Sequence, residues 1–442
     1  MSGELSSILT PPIGLDVPLL DDVKRVSPLA LLNSYSGLFL IAFLATLLVT
    51  PLVRKLAISL DIVDRPDRQR KQHAMPIAYL GGFAVFIGII AAIGYSYTMT
   101  DGLAGIFAPI PVSIVLGIVA ITFTGLADDV WGWDPRLKIA GQLVAAAALA
   151  AEQVGVRVAE GALVVFLGEA SETLLELGPM VVQNGDLYYW LGTALIALFV
   201  LGGCNAANLI DGLDGLLSGT VFIQMAGLLV ICLMMATSSD LGNLFESEAG
   251  ARIAICLAVM GAVLGFLPWN FNPAVIFLGD CGSLLLGYLT VVVILLLGEQ
   301  GDTKLVLAGL IVFGLPIMDT ALSILRRRLA GIPLSTADAN HIHHQVRRAV
   351  GGVKGAVFAL YGIALAFTAT GVTLAWLVLF TRIRTQIVFA LAIVLFGFIG
   401  AVAFKAARRQ QLALAKQASP EVASPPAAKP PVSPSADPSR VG

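Results

Sequence analysis

The chain has 442 residues, 57% of them hydrophobic and only 13% charged, with a mean hydropathy of +0.88; soluble domains carry about 25% charged residues. That composition excludes an ordinary soluble globule and identifies an integral membrane protein. A net charge of −2 gives no electrostatic footprint for nucleic acid, and the four cysteines, Cys204, Cys232, Cys256 and Cys281, form no CxxC pair. They suggest neither a zinc site nor a disulfide framework and read as small apolar fillers.

The opening MSGELSS has no basic n-region, so no cleavable signal peptide is expected and the first apolar run is retained. A span needs about 20 apolar residues. This predicts eleven runs, at 36–52, 78–98, 109–127, 137–152, 188–203, 215–236, 251–267, 281–297, 304–324, 354–379 and 384–404. With the N-terminus outside, the inner segments hold 20 of the 27 Lys and Arg residues, the asymmetry expected of cytoplasmic loops. The fold class expected is therefore all-α integral membrane, with about eleven transmembrane helices and a cytoplasmic C-terminus. Residues 1–35 are read as a periplasmic N-terminal segment, 36–404 as the polytopic domain and 405–442 as a cytoplasmic tail. Disorder is expected in that tail, where 417–442 carries seven of the 22 prolines. The longest external loop, 153–187, suits a small periplasmic β-hairpin with its turn at Asn184 and Gly185.

Every polar motif falls on the predicted inner side. The first inner loop, DIVDRPDRQRKQHAMPIAYLGG, holds Lys71 and His73, which are either topology anchors with their neighbours or contacts to a phosphate-rich ligand; Gly81 and Gly82 would let the next helix pack closely. In the second, GLADDVWGWDPRLKIAGQ, the adjacent Asp128 and Asp129 repel unless a cation or a shared proton separates them, and Lys138 can return across the loop. The alternative is an acidic helix terminus. The third, NAANLIDGLDGL, places Asn205, Asn208, Asp211 and Asp214 three residues apart, so on a helix they line a curved wall. Each ionised carboxylate at bilayer depth costs roughly 2.5–3.5 kcal/mol, which implies water, a counter-ion or a metal.

The fourth, WNFNPAVIFLGDCGS, sets Asp280 at a helix start, where capping is one reading and a ligand site another; Asn270 and Phe277 suit an amide and a ring for a base. The fifth, RRRLAGIPLSTADANHIHHQVRR, gathers three of the four histidines, His341, His343 and His344, beside Arg347 and Arg348. An inert surface turn or a phosphate-binding surface would both account for it. Oxygen ligands flanked by cationic side chains match a magnesium-bridged diphosphate. A cation-coupled transporter also needs intramembrane carboxylates. However, these polar groups gather on one side, away from the midplane, and no internal repeat is evident.

As a set and in this order, RKQH, LADD, NAANLIDGLDGL, FLGDCGS and HIHH resemble the polyprenyl-phosphate N-acetylhexosamine-1-phosphate transferase family, over about residues 36–404. DGLDG alone also occurs in CDP-alcohol phosphotransferases, but their continuation is missing where Leu216 to Thr220 read LLSGT. HIHH is similar to the undecaprenyl-phosphate N-acetylglucosaminyl branch; the muramoyl-pentapeptide branch usually has three consecutive histidines. Ala339 after Asp338 and Val275 before FLGD depart from the basic residues expected there, which bears on the choice of sugar.

The resemblance implies transfer of a hexosamine 1-phosphate, GlcNAc-1-phosphate first among candidates, from a UDP-N-acetylhexosamine to undecaprenyl phosphate in the lipid bilayer of the bacterial inner membrane. UMP leaves, no nucleic acid is involved, and a homodimer is compatible with it. It implies Mg²⁺ as cofactor, replaceable by Mn²⁺, with Asn208 and Asp280 as ligands and Lys138 on the diphosphate. Asp128 and Asp129 match the paired aspartates that handle the lipid phosphate, and Asp211 and Asp214 an acidic pair once proposed to include a nucleophile. Asn270 and Phe277 match positions that hold uracil. Substrate contacts are further expected from Lys71, His73, Asn205, His341, His343 and His344.

Overall fold

The computed structural model describes residues 27–65, 76–99, 110–177, 180–238, 248–329, 331, 341–381, 383–384 and 386–391, with scattered positions from 393 to 408. Lys71, His73, Asp338, Ala339 and the proline-rich tail lie outside the described residues.

The described chain is mostly helical. In order it forms α1 (Pro28–Ser59), β1 (Val63–Asp64), β2 (Ile77–Ala78), α2 (Gly81–Ser96), α3 (Val112–Trp131), α4 (Pro135–Ala151) and α5 (Arg157–Leu167). There follow β3 (Thr173–Leu177), β4 (Met180–Gln183), α6 (Asn184–Ile210), α7 (Leu216–Ser238), α8 (Ala249–Asn270) and α9 (Gly279–Leu296). The last are α10 (Thr303–Val312), α11 (Gly314–Leu329), α12 (Ile342–Val350) and α13 (Val353–Phe380).

Ten of the eleven expected runs coincide with described helices, but they are not eleven equivalent spans. Among the described residues, seven helices are long and apolar enough to cross a membrane, or eight if α10 and α11, bent by 76° at their junction, are one broken span. Helix α2, with 16 residues, is apolar but shorter, and α4 has 17. The run at 384–404 is described only in part, with helical residues at 386–391. The bend follows from local sequence: Gly314 and Pro316 fall in the first turn of α11, where Pro has no amide to continue the hydrogen bonding of α10.

In the expected external loop, β3 and β4 do pair antiparallel, with Leu177 opposite Met180. Asn184 and Gly185 are not its turn: they begin α6, behind a capping box in which Gln183 and Asp186 exchange side-chain and backbone hydrogen bonds. The Asn184 side chain is instead buried, donating to the carbonyls of Leu167 at 2.6 Å and Glu169 at 3.1 Å. Helix α5 fills much of the rest of that loop.

Helix α9 is the axis. It is buried on all sides, Cys281 through Leu296 without exception, and packs against α2, α3, α6, α7 and α8. Apolar residues all round the helix are what such a position requires. Its N-terminus is held where backbone meets backbone. The amides of Gly81 and Gly82 donate to the carbonyls of Phe277 (2.9 Å) and Leu278 (2.7 Å), and Phe277 returns a bond to Ala78 at 2.8 Å. A Cβ on Gly82 would overlap the backbone of Gly282, so this crossing depends on glycine. Gly82→Ala should therefore destabilise the protein by about 1–3 kcal/mol, the usual cost of overpacking. Gly94→Ala on the same helix, where a Cβ meets nothing within 4 Å, should leave the thermal midpoint in detergent unchanged or raised; equal midpoints for the two variants would contradict this account of the crossing.

Candidate active site

Four helix ends and two loops bring the polar motifs to one end of the bundle. Gly132, in the left-handed region at φ 63°, stops α3, and Asp134 caps α4 by accepting from the Arg136 amide at 2.8 Å, with Pro135 in the first turn. This turn sets Lys138 at the start of α4 against Asp128 at the end of α3. Lys138 Nζ donates to Asp128 Oδ2 at 2.9 Å and also to Asp280 Oδ2, at the start of α9. On the other oxygen of Asp280, Asn208 Nδ2 from the end of α6 donates at 2.8 Å, and it reaches Ser283 Oγ at 3.0 Å. Residues as far apart in the chain as 128 and 280 thus form one bonded unit.

Asp129 has a different role from its neighbour. Its two oxygens accept the backbone amides of Asp280 (2.8 Å) and Cys281 (3.0 Å), satisfying donors that a helix start leaves orphaned. Gly279, at φ +71°, turns the chain into α9, and a Cβ there would run into the Asp129 carboxylate.

A cavity of about 370 Å³ opens beside this unit, lined by Tyr79, Asn208, Asp211, Gly212, Leu213, Asp214, Asn270, Phe277, Leu278, Gly279 and Asp280. Among the described residues no hydrogen-bond donor meets the Asp211 carboxylate; burial, then the charges of Asp280, Asp129 and Asp214, push its pKa up to about 8. Asp214 is engaged structurally: Oδ2 accepts Asn272 Nδ2 at 2.8 Å and the Ala274 amide at 3.1 Å, fastening its loop to 272–274. Asn270 is 4% exposed and its amide is bonded at both its oxygen and its nitrogen. It accepts from the Gly215 amide and Ser218 Oγ, each at 3.1 Å, and donates to the Ile276 carbonyl at 3.1 Å. Its oxygen is spent on these bonds, and the residue stands in the cavity lining. Phe277 does face the cavity, its ring edge-on to Tyr79 with centroids 6.0 Å apart. The carbonyl of Val275 accepts Arg54 Nε from α1 at 3.0 Å.

Asn205 is not in the cavity lining. Its amide donates to Gln142 Oε1 of α4 at 2.9 Å and to the Leu201 carbonyl at 2.7 Å, so the helical wall of four polar residues is broken at its first member. The three histidines lie at the start of α12. His341 precedes α12 as its cap, and the rings run in series, His341 stacked on His343 at 5.6 Å and His343 tilted on His344 at 4.2 Å. His343 is 2% exposed and lies against Gly212, where a Cβ would overlap its ring. Burial, aided by His344, lowers its pKa to about 3, and burial also lowers that of His344. His343 therefore contributes no positive charge near neutral pH.

Sequence reading missed three participants: Tyr79 in the cavity, Ser283 beside Asn208, and Asp319, whose carboxylate joins His341 Nδ1 at 2.9 Å. Tyr79 precedes the glycine pair by two residues, and only its place beside the FLGD segment identifies it.

The model of glycosyl transferase family 4 matches residues 111–298. Over 350 residues the chain is 33% identical to the probable undecaprenyl-phosphate N-acetylglucosaminyl 1-phosphate transferase of Bacillus subtilis, covering 77% of this chain and 86% of that protein. It is 33% identical to the decaprenyl-phosphate N-acetylglucosaminephosphotransferase of Mycobacterium leprae, over 70% and 75% of the two chains. Identity to the phospho-N-acetylmuramoyl-pentapeptide-transferase of Bacillus cytotoxicus is 31%, over 64% and 78%.

The Asp211 carboxyl yields a pH test on the protein without divalent cation. With a pKa of about 8 folded against an ordinary 3.8, the folded chain binds this proton more tightly than the unfolded chain. The linked stability is full below the ordinary value and is lost progressively as pH rises through about 8. In EDTA, the thermal midpoint of the wild type should fall more steeply between pH 5 and 9 than that of Asp211→Asn. Parallel curves would mean that Asp211 is not held protonated.

Proposed function

The chain belongs to the polyprenyl-phosphate N-acetylhexosamine-1-phosphate transferases, glycosyl transferase family 4, and we propose that its donor is UDP-GlcNAc and its acceptor undecaprenyl phosphate. An acceptor phosphate oxygen bonds to the β-phosphorus of the donor as the bond from that phosphorus to the bridging oxygen breaks. UMP leaves, and a lipid-linked sugar diphosphate remains for cell-envelope glycan synthesis. The reading places the bonded end of the bundle at the cytoplasmic face of the bacterial inner membrane, consistent with the distribution of Lys and Arg in the sequence.

One observation carries this reading. Asp128, Lys138, Asn208 and Asp280 are joined by direct contacts across a chain separation of more than 140 residues, and Asp211 faces the adjoining cavity. Such a concentration of carboxylates against a single lysine is costly in a membrane protein unless a cation and a polyanion bind it together. The donor atoms are hard oxygens, which suit Mg²⁺ and, in its place, Mn²⁺. Among the described residues no group of three His, Cys, Asp or Glu side chains is arranged to hold a metal ion alone. That fits Mg²⁺, which usually takes one or two carboxylates and fills its sphere with water and substrate phosphates. In this reading Asp280, Asn208 and Asp211 hold the ion. When bound, it neutralises charge on the diphosphate oxygens.

The residues of the chain do the rest by position and charge. Lys138, between Asp128 and Asp280, is suited to follow charge onto the departing UMP. Phe277 and Tyr79 suit the flat base, with Asn270 keeping the wall in shape. The histidine series bounds the sugar side through His343 and Gly212.

A direct displacement is favoured over a covalent aspartyl intermediate. Asp129 spends both oxygens on the amides of α9, Asp214 is tied to Asn272 and Ala274, and Asp128 is paired with Lys138. None of the three is poised as a free nucleophile, and Asp211, which faces the cavity, is held protonated by burial without the ion and is engaged by the ion in this reading, whereas the acceptor phosphate is ionised near neutral pH.

Purified protein should release UMP from UDP-GlcNAc only with both undecaprenyl phosphate and Mg²⁺. Asp280→Asn should lower turnover by at least about 10²–10³-fold, the scale of losing one preorganised electrostatic group, while the protein remains monodisperse. Release from UDP-N-acetylmuramoyl-pentapeptide and not UDP-GlcNAc would reassign the donor; no release from any UDP-hexosamine would overturn the function. The two amides of the NAAN segment should separate in the same assay. Asn208→Ala should behave like Asp280→Asn and Asn205→Ala should stay within about tenfold of wild type. A reversed order would put the site on the α4 side of α6.

A further inference from the structure

Asp319 lies in the middle of α11, the inner half of the bent pair, and is completely buried. Its Oδ1 accepts the Ile342 amide at 2.7 Å, the first amide of α12, and its Oδ2 meets His341 Nδ1 at 2.9 Å. Capping alone needs one neutral acceptor, which Ser, Thr or Asn supplies. A carboxylate in a fully buried place costs more than these residues unless its charge is used. Here the second oxygen specifies the imidazole. A carboxylate has no proton to give, so Nδ1 must carry the hydrogen, and in the neutral ring Nε2, on the far side, is left as an acceptor. His341 in turn stacks parallel on His343, and His343 abuts Gly212 in the cavity wall. The ring so oriented is joined through His343 to Gly212, which lines the cavity.

We propose that Asp319 is a positioning residue that locks His341 in the Nδ1–H tautomer, so that Nε2 accepts a hydrogen bond from a hydroxyl or amide N–H of the hexosamine being transferred. The sugar contact rests on the function proposed above; the tautomer does not. Asp319 touches no substrate itself. It acts through the ring, as a carboxylate behind a ligating histidine fixes both tautomer and orientation.

The conservative variant makes a specific prediction. In Asp319→Asn, the amide oxygen is held by the Ile342 amide, which has no other acceptor among the described residues, and the side-chain NH₂ is turned to His341. An NH₂ facing Nδ1 demands a lone pair there, so the hydrogen moves to Nε2 and the acceptor facing the sugar is lost. The fold should survive, because the cap of α12 is retained.

The full-length protein has four histidines, so ¹⁵N-histidine labelling in detergent gives a spectrum simple enough to assign, with the His341 signals identified by their loss in His341→Gln. Wild type should show His341 as Nδ1–H, and Asp319→Asn should show Nε2–H. In parallel, Asp319→Asn should lower kcat/KM for UDP-GlcNAc by about 10–100-fold, the range for removing a partner that orients a ligand, and Asp319→Glu should recover part of it. A wild-type His341 in the Nε2–H form, or an unchanged tautomer in Asp319→Asn, would overturn the lock. A tautomer that flips without loss of turnover would overturn the sugar contact. Absence of UMP release by wild type would instead refute the proposed function, and the tautomer measurement would still decide on Asp319.

Discussion

The site depends on one carboxylate at the start of one buried helix. Asp280 begins α9, the most enclosed helix in the bundle, and is held from opposite sides by Lys138 of α4 and Asn208 of α6. The amide dipoles of α9 favour a negative charge at that end, and Asp129 caps the first amides. Two acidic side chains thus meet at one helix start. The remaining attraction comes from Lys138, and its position depends on the short turn through Gly132, Asp134 and Pro135. Loss of that turn would unpair the carboxylates of α3 and α9 at once.

The same helix start explains why glycine recurs around the motifs. Side chains of ordinary size would separate α2 from α9 and, with it, the 78–82 segment from 276–278, whose backbone bonds form one wall of the cavity. Asn270 and Asp214 supply the other fastening. Each uses its polar atoms to tie the 211–215 loop to the 270–276 segment, so the loop is rigid before any ligand arrives. Preorganisation of this kind is what phosphoryl transfer demands of a protein, since the transferring group asks for position and charge more than for covalent help.

Much of this was legible in the sequence, and the limits have physical reasons. Lys138, Asn208, Asp280 and Asp128 were readable because polar residues at the ends of apolar runs have few uses, and their order along the chain matched a known set of motifs. Asn205, Asn270 and Asp214 belong to the same motifs, but a side chain's partner is settled by packing between helices, and spacing cannot show that Asn205 turns to Gln142 or Asn270 to Gly215. Asp319 lay inside an apolar run and paired with a residue 22 positions later, beyond any local pattern. The span count exceeded the number of long helices because hydropathy does not register a 76° bend, nor does it separate a 16-residue apolar helix from a full crossing. Asn-Gly was read as a turn, yet Gln183 and Asp186 formed a capping box around it and began a helix.

The electrostatics of the cavity also account for why its two sides differ. On the carboxylate side, Asp211 is pushed up to about 8 by burial and by its acidic neighbours, so the ligand-free protein relieves repulsion by keeping a proton. A divalent cation brought with a diphosphate would displace that proton and turn mutual repulsion into shared attraction; either ion alone would meet an incomplete partner. On the histidine side, burial keeps His343 neutral, and a neutral ring lends no strong attraction to phosphate. It is better matched to hydroxyls and amides, which need directed acceptors and donors in a dry wall. On the proposed function, charge would recognise the part common to every nucleotide sugar, while the neutral wall set by His341, His343 and Asp319 would be where one sugar is told from another.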